Sequence, residues 1–394
     1  MDKRIIWLAV GSFTMSTVGF VFSSLLPSIA ADTHTTIPHA GHLITLFSLS
    51  YAIGAPLLSA LAGAADRRRL LVAAMLVFVV GNGIAAMSVS FTTLLLAQIV
   101  MGMASGLFAA TAQATAVSLA GPEHRALAIS IVVGGTTFAV ALGAPLGALI
   151  AAFWGWRGTF GTVALVGLTC AAMLWLRLPR GLNGTKLTMS ERFGAIGRPG
   201  VASSLMVTFL YLTGGFMIIS YLAPLAIDGA GLSHLALPGL LLAFGVGAVI
   251  GNLSSGYLAD RLGATRVVTA SLISALAVSL TIAFGLHLLT RDFAGLLLIG
   301  IMVPWGIVGW AFPPAQASRI VGFAPEVAHL TLSLNASAIY LGIAAGTAIG
   351  GRILENTAAA DLGFFAALFP VASLAVLYAG LRSHRRRLAT APAE

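Results

Sequence analysis

The chain carries twelve acidic residues in 394. When its apolar stretches are marked out, none of these acids falls in the middle of one. A carboxylate inside an apolar stretch is a group suited to taking up and releasing a proton, and here that chemistry has no obvious residue to act through. Asp32 comes nearest, at the end of the first stretch, with His34, His39 and His42 close behind. Asp and His are metal-ligand types, but histidines in an exposed loop are ordinarily solvated, so no metal is expected. Asp32 and His34 remain the candidates for proton coupling. No zinc-protease helix, phosphate-cradling glycine loop or nucleophile elbow is present. Neither enzymatic chemistry nor a cofactor is implied.

The elements that must position any site are membrane helices. The residues are 58% hydrophobic and 8% charged, against roughly a quarter charged in a soluble domain. A water-soluble fold could not hide so much apolar surface. Stretches long enough to cross the hydrocarbon core fall near 5–29, 42–64, 70–88, 92–118, 126–152, 159–178, 200–224, 236–258, 267–288, 293–313, 329–352 and 362–381. The first is too long for the core of a cleaved signal peptide, so it reads as an uncleaved helix. With the N-terminus in the cytoplasm, all 21 Lys and Arg residues except Arg157, Arg291 and Arg352 fall inside. This positive-inside bias accounts for the net charge of +9 without nucleic acid. Cys170, the lone cysteine, excludes an intrachain disulfide and reads as packing.

The longest internal connection, 177–199, is basic and divides the spans six and six. Within it, Thr188 and Glu191 have the spacing of a helix capping box. The halves resemble each other. Gln113, Pro122, Glu123 and Ser130 recur at the same spacing as Gln316, Pro325, Glu326 and Ser333, and Asp66-Arg67 recurs as Asp260-Arg261. Gly135, Ala139, Gly143 and Gly147, with Pro145 among them, form a small-residue stripe on span five. It is echoed by Ala338, Gly342, Gly346 and Gly350 on span eleven. Such stripes let backbones approach closely. Their symmetric recurrence is read as a moving contact between the halves, with static packing as the alternative. A parallel repeat of this kind places a transport site between halves near mid-membrane.

The loop after span eight reads Gly256-Tyr257-Leu258-Ala259-Asp260-Arg261-Leu262-Gly263, followed by Arg266. It strongly resembles the signature loop of the major facilitator superfamily, and its copy at Asp66-Arg67 is degenerate. An acid beside Arg at a helix end can bind an opposing helix N-terminus, so both pairs are expected to latch the cytoplasmic side. Leu25-Leu26-Pro27, Gly143-Ala144-Pro145-Leu146-Gly147, Gly155-Trp156-Arg157 with Phe160, and Leu341-Gly342-Ile343-Ala344 with Gly350-Gly351 are similar to the drug:proton antiporter branch. The likeness covers essentially the whole chain. In that branch the Gly-Pro element of span five goes with export.

Two departures bear on the site. Where the branch usually has Glu-Phe in span one, this chain has Gly19 and Phe20, and Gln98 replaces an Arg of span four. Losing an acid and a base together is coherent, because a lone buried ion in lipid is costly. If Gly19 and Gln98 face the cavity, helical spacing brings Ser16 and Ser23, and Met101 and Ser105, to the same side. The repeat carries those positions to the neighbourhood of Tyr211 and Trp305. Thr136, Thr137, Asn335 and Tyr340 are further polar or aromatic candidates. As a set they describe a neutral pocket of hydroxyls, amides and rings.

These readings combine into an all-α integral membrane protein of twelve transmembrane helices in two six-helix bundles. The bundles are 1–178 and 200–382, with a cytoplasmic linker at 179–199 and a tail at 383–394. The expected function is secondary active export of a small organic solute (drug-like, sugar or nucleoside-like) by alternating access. The expected place is the cell inner membrane, with both termini cytoplasmic. Its partners would be the solute, the lipid bilayer and protons as the candidate coupling ion; oligomerisation is not required. An importer or uncoupled facilitator of a neutral or zwitterionic solute is the alternative. A membrane-embedded sensor or enzyme would need a polar catalytic cluster or soluble domain, and neither is visible.

Overall fold

In the computed structural model the described residues are 2–62, 65–120, 125–182 and 194–390. Among them there are helices and no strand, as expected where backbone amides must be satisfied within the segment. Eleven apolar runs are long enough to cross a membrane, and one of them, Ala128–Arg177, is 50 residues long. A helix of that length would extend about 75 Å, more than twice the ~30 Å hydrocarbon core. It is two crossings. Gly155 breaks it with φ 69° and ψ 171°; no atom crowds a Cβ there, so the glycine is required by backbone conformation alone.

The spans are α1 (Ile5–Asp32), α2 (His42–Leu61), α3 (Arg67–Ala86), α4 (Phe91–Leu119), α5 (125–154), α6 (156–177), α7 (Val201–Ile219), α8 (Leu237–Leu262), α9 (Ala264–Leu288), α10 (Arg291–Phe323), α11 (Ala328–Leu354) and α12 (Leu362–Thr390). The count of twelve matches the sequence reading, although α10 runs on past residue 313 and α6 begins at 156 rather than 159. Both ends of the described chain lie on one face, called here the N-face; the other is the distal face. Thr188 and Glu191 lie outside the described residues, as do Pro122, Glu123, Gly63 and Ala64.

Packing follows one scheme twice. In the first six helices α1 packs on α5, α2 on α4, and α3 on α4 and α6; in the last six α7 packs on α11, α8 on α10, and α9 on α10 and α12. Two antiparallel seams join the sets, α2 with α11 and α5 with α8.

The small-residue stripes do not lie on those seams. A Cβ on Gly135 would overlap the Ala9 carbonyl of α1, and one on Gly143 would overlap Thr17 of α1. On α11, Gly342 and Gly346 meet the Phe209 and Thr213 carbonyls of α7. Both stripes therefore close α1–α5 and α7–α11 inside their own six-helix sets. The expectation of a contact sliding between halves is corrected. A four-residue repeat fixes that small residues share a face, but not which neighbour that face meets. Gly147 and Gly350 follow suit, against Val21 and Met217.

Pro145 has a different effect. It lacks the amide that would bond back along the helix, and residues 139–143 immediately before it widen into a π-turn. The π-turn presents Ala141 to Gly245 of α8, where an added Cβ would strike the Ala141 backbone. This close glycine contact does cross a seam.

Candidate functional site

Aromatic rings fill the middle of the molecule between the two sets. Phe20 on α1 meets Phe216 on α7 and Trp310 on α10, with ring centroids 6.2 and 5.9 Å apart. On the α2–α11 seam Tyr51 and Tyr340 stack at 3.4 Å and 15°, and one turn away Ser337 donates to the Ala52 carbonyl at 3.0 Å. On the α5–α8 seam Asn252 Nδ2 donates to Thr137 Oγ1 at 3.1 Å.

Beside the tyrosine stack lies a cavity of about 20 Å³ lined by Ser12, Ser16, Tyr51, Ser105, Thr136 and Tyr340, with Met15, Phe108 and Ala109 completing the wall. Ser16 Oγ donates to Thr136 Oγ1 at 3.1 Å. Among the described residues that line it, no side chain is charged. The space suits a single water, whereas small-molecule pockets run to hundreds of Å³. A solute could be held there only if the walls part. On the distal face the gap is shut by Tyr221, which is fully buried. Its hydroxyl donates to the Thr347 carbonyl at 2.9 Å and sits where Cβ atoms on Gly41 and Gly351 would be. Gly41 precedes α2 and Gly351 lies on α11, so this contact joins the two sets.

Of the residues nominated from sequence, Ser16, Ser105, Thr136 and Tyr340 come together at this cavity; Thr137 stands on the α5–α8 seam and Phe20 in the central ring cluster. The others do not gather. Ser23 turns back to the Phe20 carbonyl. Met101 fills the space left by Gly81 of α3, and Gln98 is fully buried with neither Nε2 nor Oε1 partnered. Tyr211 stacks on Phe312 and donates to the Val308 carbonyl, Trp305 packs edge-on to Phe244, and Asn335 accepts from Thr208. All three lie inside the second set. Gly19 borders Phe47 with ordinary clearance. Ser12 and Tyr51 were missed. Ser12 is four residues from Ser16 on the same helical face, a signal available in the sequence; the face of Tyr51 was not.

The Asp-Arg pairs act locally. Asp66 caps α3, accepting from the Arg69 amide at 3.0 Å and from the Gly181 amide at 2.8 Å. Burial raises the Asp66 carboxyl, but the amides of Arg69, Gly181 and Arg68 and the Arg69 charge outweigh it and hold the group below the usual carboxylate value. Arg67 donates to the Ala114 carbonyl at 2.9 Å and to Ser118 at 3.0 Å, at the end of α4. Asp260 is exposed and makes no ion pair among the described residues, and Arg261 covers Tyr257 of its own helix. In this conformation, among the described residues, neither pair reaches an opposing helix of the other set.

At the distal rim Asp32 is ion-paired with Arg157 of α6. The same guanidinium donates twice to the Ser88 carbonyl, at 3.2 and 2.9 Å, and lies over Trp156. Asp32 therefore straps α1 to α6 rather than joining the histidines. His39 packs against His42 and Phe91, and no group of three metal-ligand residues forms among the described residues.

Two six-helix sets packed by one scheme, with a small cavity in the first set that Tyr340 of the second closes, define a multi-pass membrane transporter architecture. The family model of the Major Facilitator Superfamily matches residues 8–347, and the chain belongs to that family. It is 32% identical to the uncharacterized MFS-type transporter YbcL of Bacillus subtilis, over 93% of this chain and 92% of that protein. It is 30% identical to the inner membrane transport protein YdhP of Escherichia coli, over 91% of this chain and 89% of that one. Its fold is shared by the human organic anion transporter MFSD10 (TETRAN), with a TM-score of 0.74 at 16% identity, covering 96% of this chain and all of that one.

Proposed function

We propose that this transporter exports a small uncharged or zwitterionic organic solute by alternating access, the two six-helix sets, 1–178 and 200–382, moving as bodies about the cavity. The observation that carries this reading is the cavity wall of hydroxyls, a thioether and rings with no charge. A charged solute would lose its hydration there without a counter-charge in return. The positive-inside distribution of Lys and Arg favours a cytoplasmic N-face, which makes the distal face, closed by Tyr221, the exterior. Protons are the proposed coupling ion, exchanged at the distal rim through Asp32 or His34. The absence of any acid or histidine from the cavity wall supports a second reading, an uncoupled facilitator.

Flux in proteoliposomes, with and without an imposed pH gradient, separates the readings. A panel of neutral drug-like, sugar and nucleoside solutes is screened first. Gradient-driven accumulation of one of these, lost in Asp32→Asn, supports rim coupling; flux indifferent to the gradient supports the facilitator. Preference for organic anions or cations would sink the neutral-cavity reading.

A further inference from the structure

At the N-face of the first set the chain meets its own exposed helix ends, with Asp66 on the start of α3 and Arg67 on the end of α4. The second set differs at its corresponding corner. α9 starts behind Gly263, which has φ 88° and brings no side chain to the first-turn amides. Beside it, near the end of α10, lies Arg319, only 5% exposed. Its Nη1 donates to Gln316 Oε1 at 3.2 Å, and its guanidinium lies 5.3 Å from the Phe323 ring centroid. Among the described residues its Nε and Nη2 have no hydrogen-bond partner. Gln316 accepts only through Oε1, which Nη1 already uses; its Nε2 is itself a donor, to the Ser204 carbonyl and Thr208. A buried guanidinium with two idle donors is costly unless something anionic completes it.

The space for that anion is present. A cleft of about 460 Å³ opens to the N-face between the start of α9 and the end of α10, lined by Gly263, Thr265, Arg266, Ser318 and Arg319. Among the described residues no acid lines it, and Asp260, the nearest acid along the chain, makes no ion pair with any of them. Uncapped helix amides, the positive end of the helix dipole and two guanidiniums are the donor set that selects a tetrahedral oxyanion.

We infer that this cleft binds a phosphate-class anion, with Arg319 as the buried anchor, Arg266 as the exposed second arm and the first turn of α9 supplying amide donors. The cleft opens at a membrane face, so a phospholipid headgroup or free phosphate could occupy it by the same chemistry.

The test uses the full chain purified in neutral detergent. It is titrated separately with dioleoylphosphatidylglycerol and with inorganic phosphate, and followed by native mass spectrometry and thermal unfolding. Arg319→Gln should weaken binding roughly tenfold or more, the scale of a lost charge-assisted hydrogen bond, and Arg266→Gln less, because it is exposed. Without added anion, Arg319→Gln should unfold no earlier than wild type, since it removes an unpaired charge. Loss of a merely structural arginine would lower that temperature instead. Arg266→Gln, at an exposed position, keeps the test open if Arg319→Gln folds poorly. Response to the lipid alone identifies a headgroup site, and response to phosphate identifies a soluble-anion site. Binding of both probes within twofold across wild type and both variants, or of neither probe to wild type, overturns the assignment.

Discussion

The ring of Tyr340 lies flat on that of Tyr51, 3.4 Å between centroids, and this one contact joins α11 to α2 while forming a wall of the central cavity. A stacked pair of this kind contributes about 0.5–1.5 kcal/mol beyond its buried area. It therefore has the right size to bias two conformations without locking either.

Tyr340→Ala should shift the balance of conformations by roughly two- to tenfold, with Tyr340→Phe milder because the stack survives and only the hydroxyl contact with Tyr51 is lost. Spin-label distances between α2 and α11 on the N-face would widen chiefly in the first variant. Identical distributions for Tyr340→Ala and wild type would count against the stack as a gate.

The glycines separate into two classes. Gly143→Leu and Gly346→Leu force a side chain into α1 and α7 respectively, and overpacking of this type costs about 1–3 kcal/mol or more. Both should lower the unfolding temperature and folded yield. Gly245→Leu strikes Ala141 across a seam and should leave each set folded while suppressing flux. Size-exclusion yield measured beside proteoliposome flux distinguishes these patterns; a well-folded, inactive Gly346→Leu would contradict the assignment.

Asp66 should make stability pH-dependent with a definite sign. Its carboxyl is held low in the folded protein, so its contribution is present above the ordinary value of about 4 and disappears as pH falls through the lower folded value. Asp66→Ala should cost about 1 kcal/mol at neutral pH, the usual worth of an N-cap. Asp66→Asn should cost less, since Asn also caps. Thermal unfolding near pH 7 should separate Asp66→Ala from wild type, and the gap should narrow toward pH 3.

The distal strap is asymmetric. Asp32→Asn loses one half-exposed ion pair, worth about 0.2–1 kcal/mol. Arg157→Ala also loses both bonds to the Ser88 carbonyl and the Trp156 contact. Arg157→Ala should be the more destabilising by denaturant unfolding, and equal effects would mean that only the ion pair matters.

Gly19→Glu tests the neutral middle of α1, one turn from the cavity residue Ser16. A Cβ there meets only Phe47, at 3.5 Å, so the longer side chain can be accommodated at the middle of α1. It places a titratable acid where the wild type has none, and the pH profile of flux should gain a further titration step. An unchanged profile in Gly19→Glu would remove this face of α1 from the pathway.

The amino-acid sequence by itself determined the membrane class, the twelve crossings, the doubled pattern and the absence of mid-span acids, because each follows from composition or from order along the chain. Lipid requires long apolar runs, and a run is visible wherever it occurs. It also marked Ser16, Ser105, Thr136 and Tyr340 as site candidates. The tertiary structure decided which face each helix turns to which neighbour. It put the stripes of Gly143 and Gly346 inside the sets, sent Asn335 and Tyr211 into the second bundle, and brought Tyr51 against Tyr340. In a soluble helix the polar face would have announced the outside. Here lipid-facing and packed surfaces are equally apolar, and only the interlocking of Gly245 with Ala141, or Tyr221 with Gly41 and Gly351, fixes the rotation of each helix about its own axis.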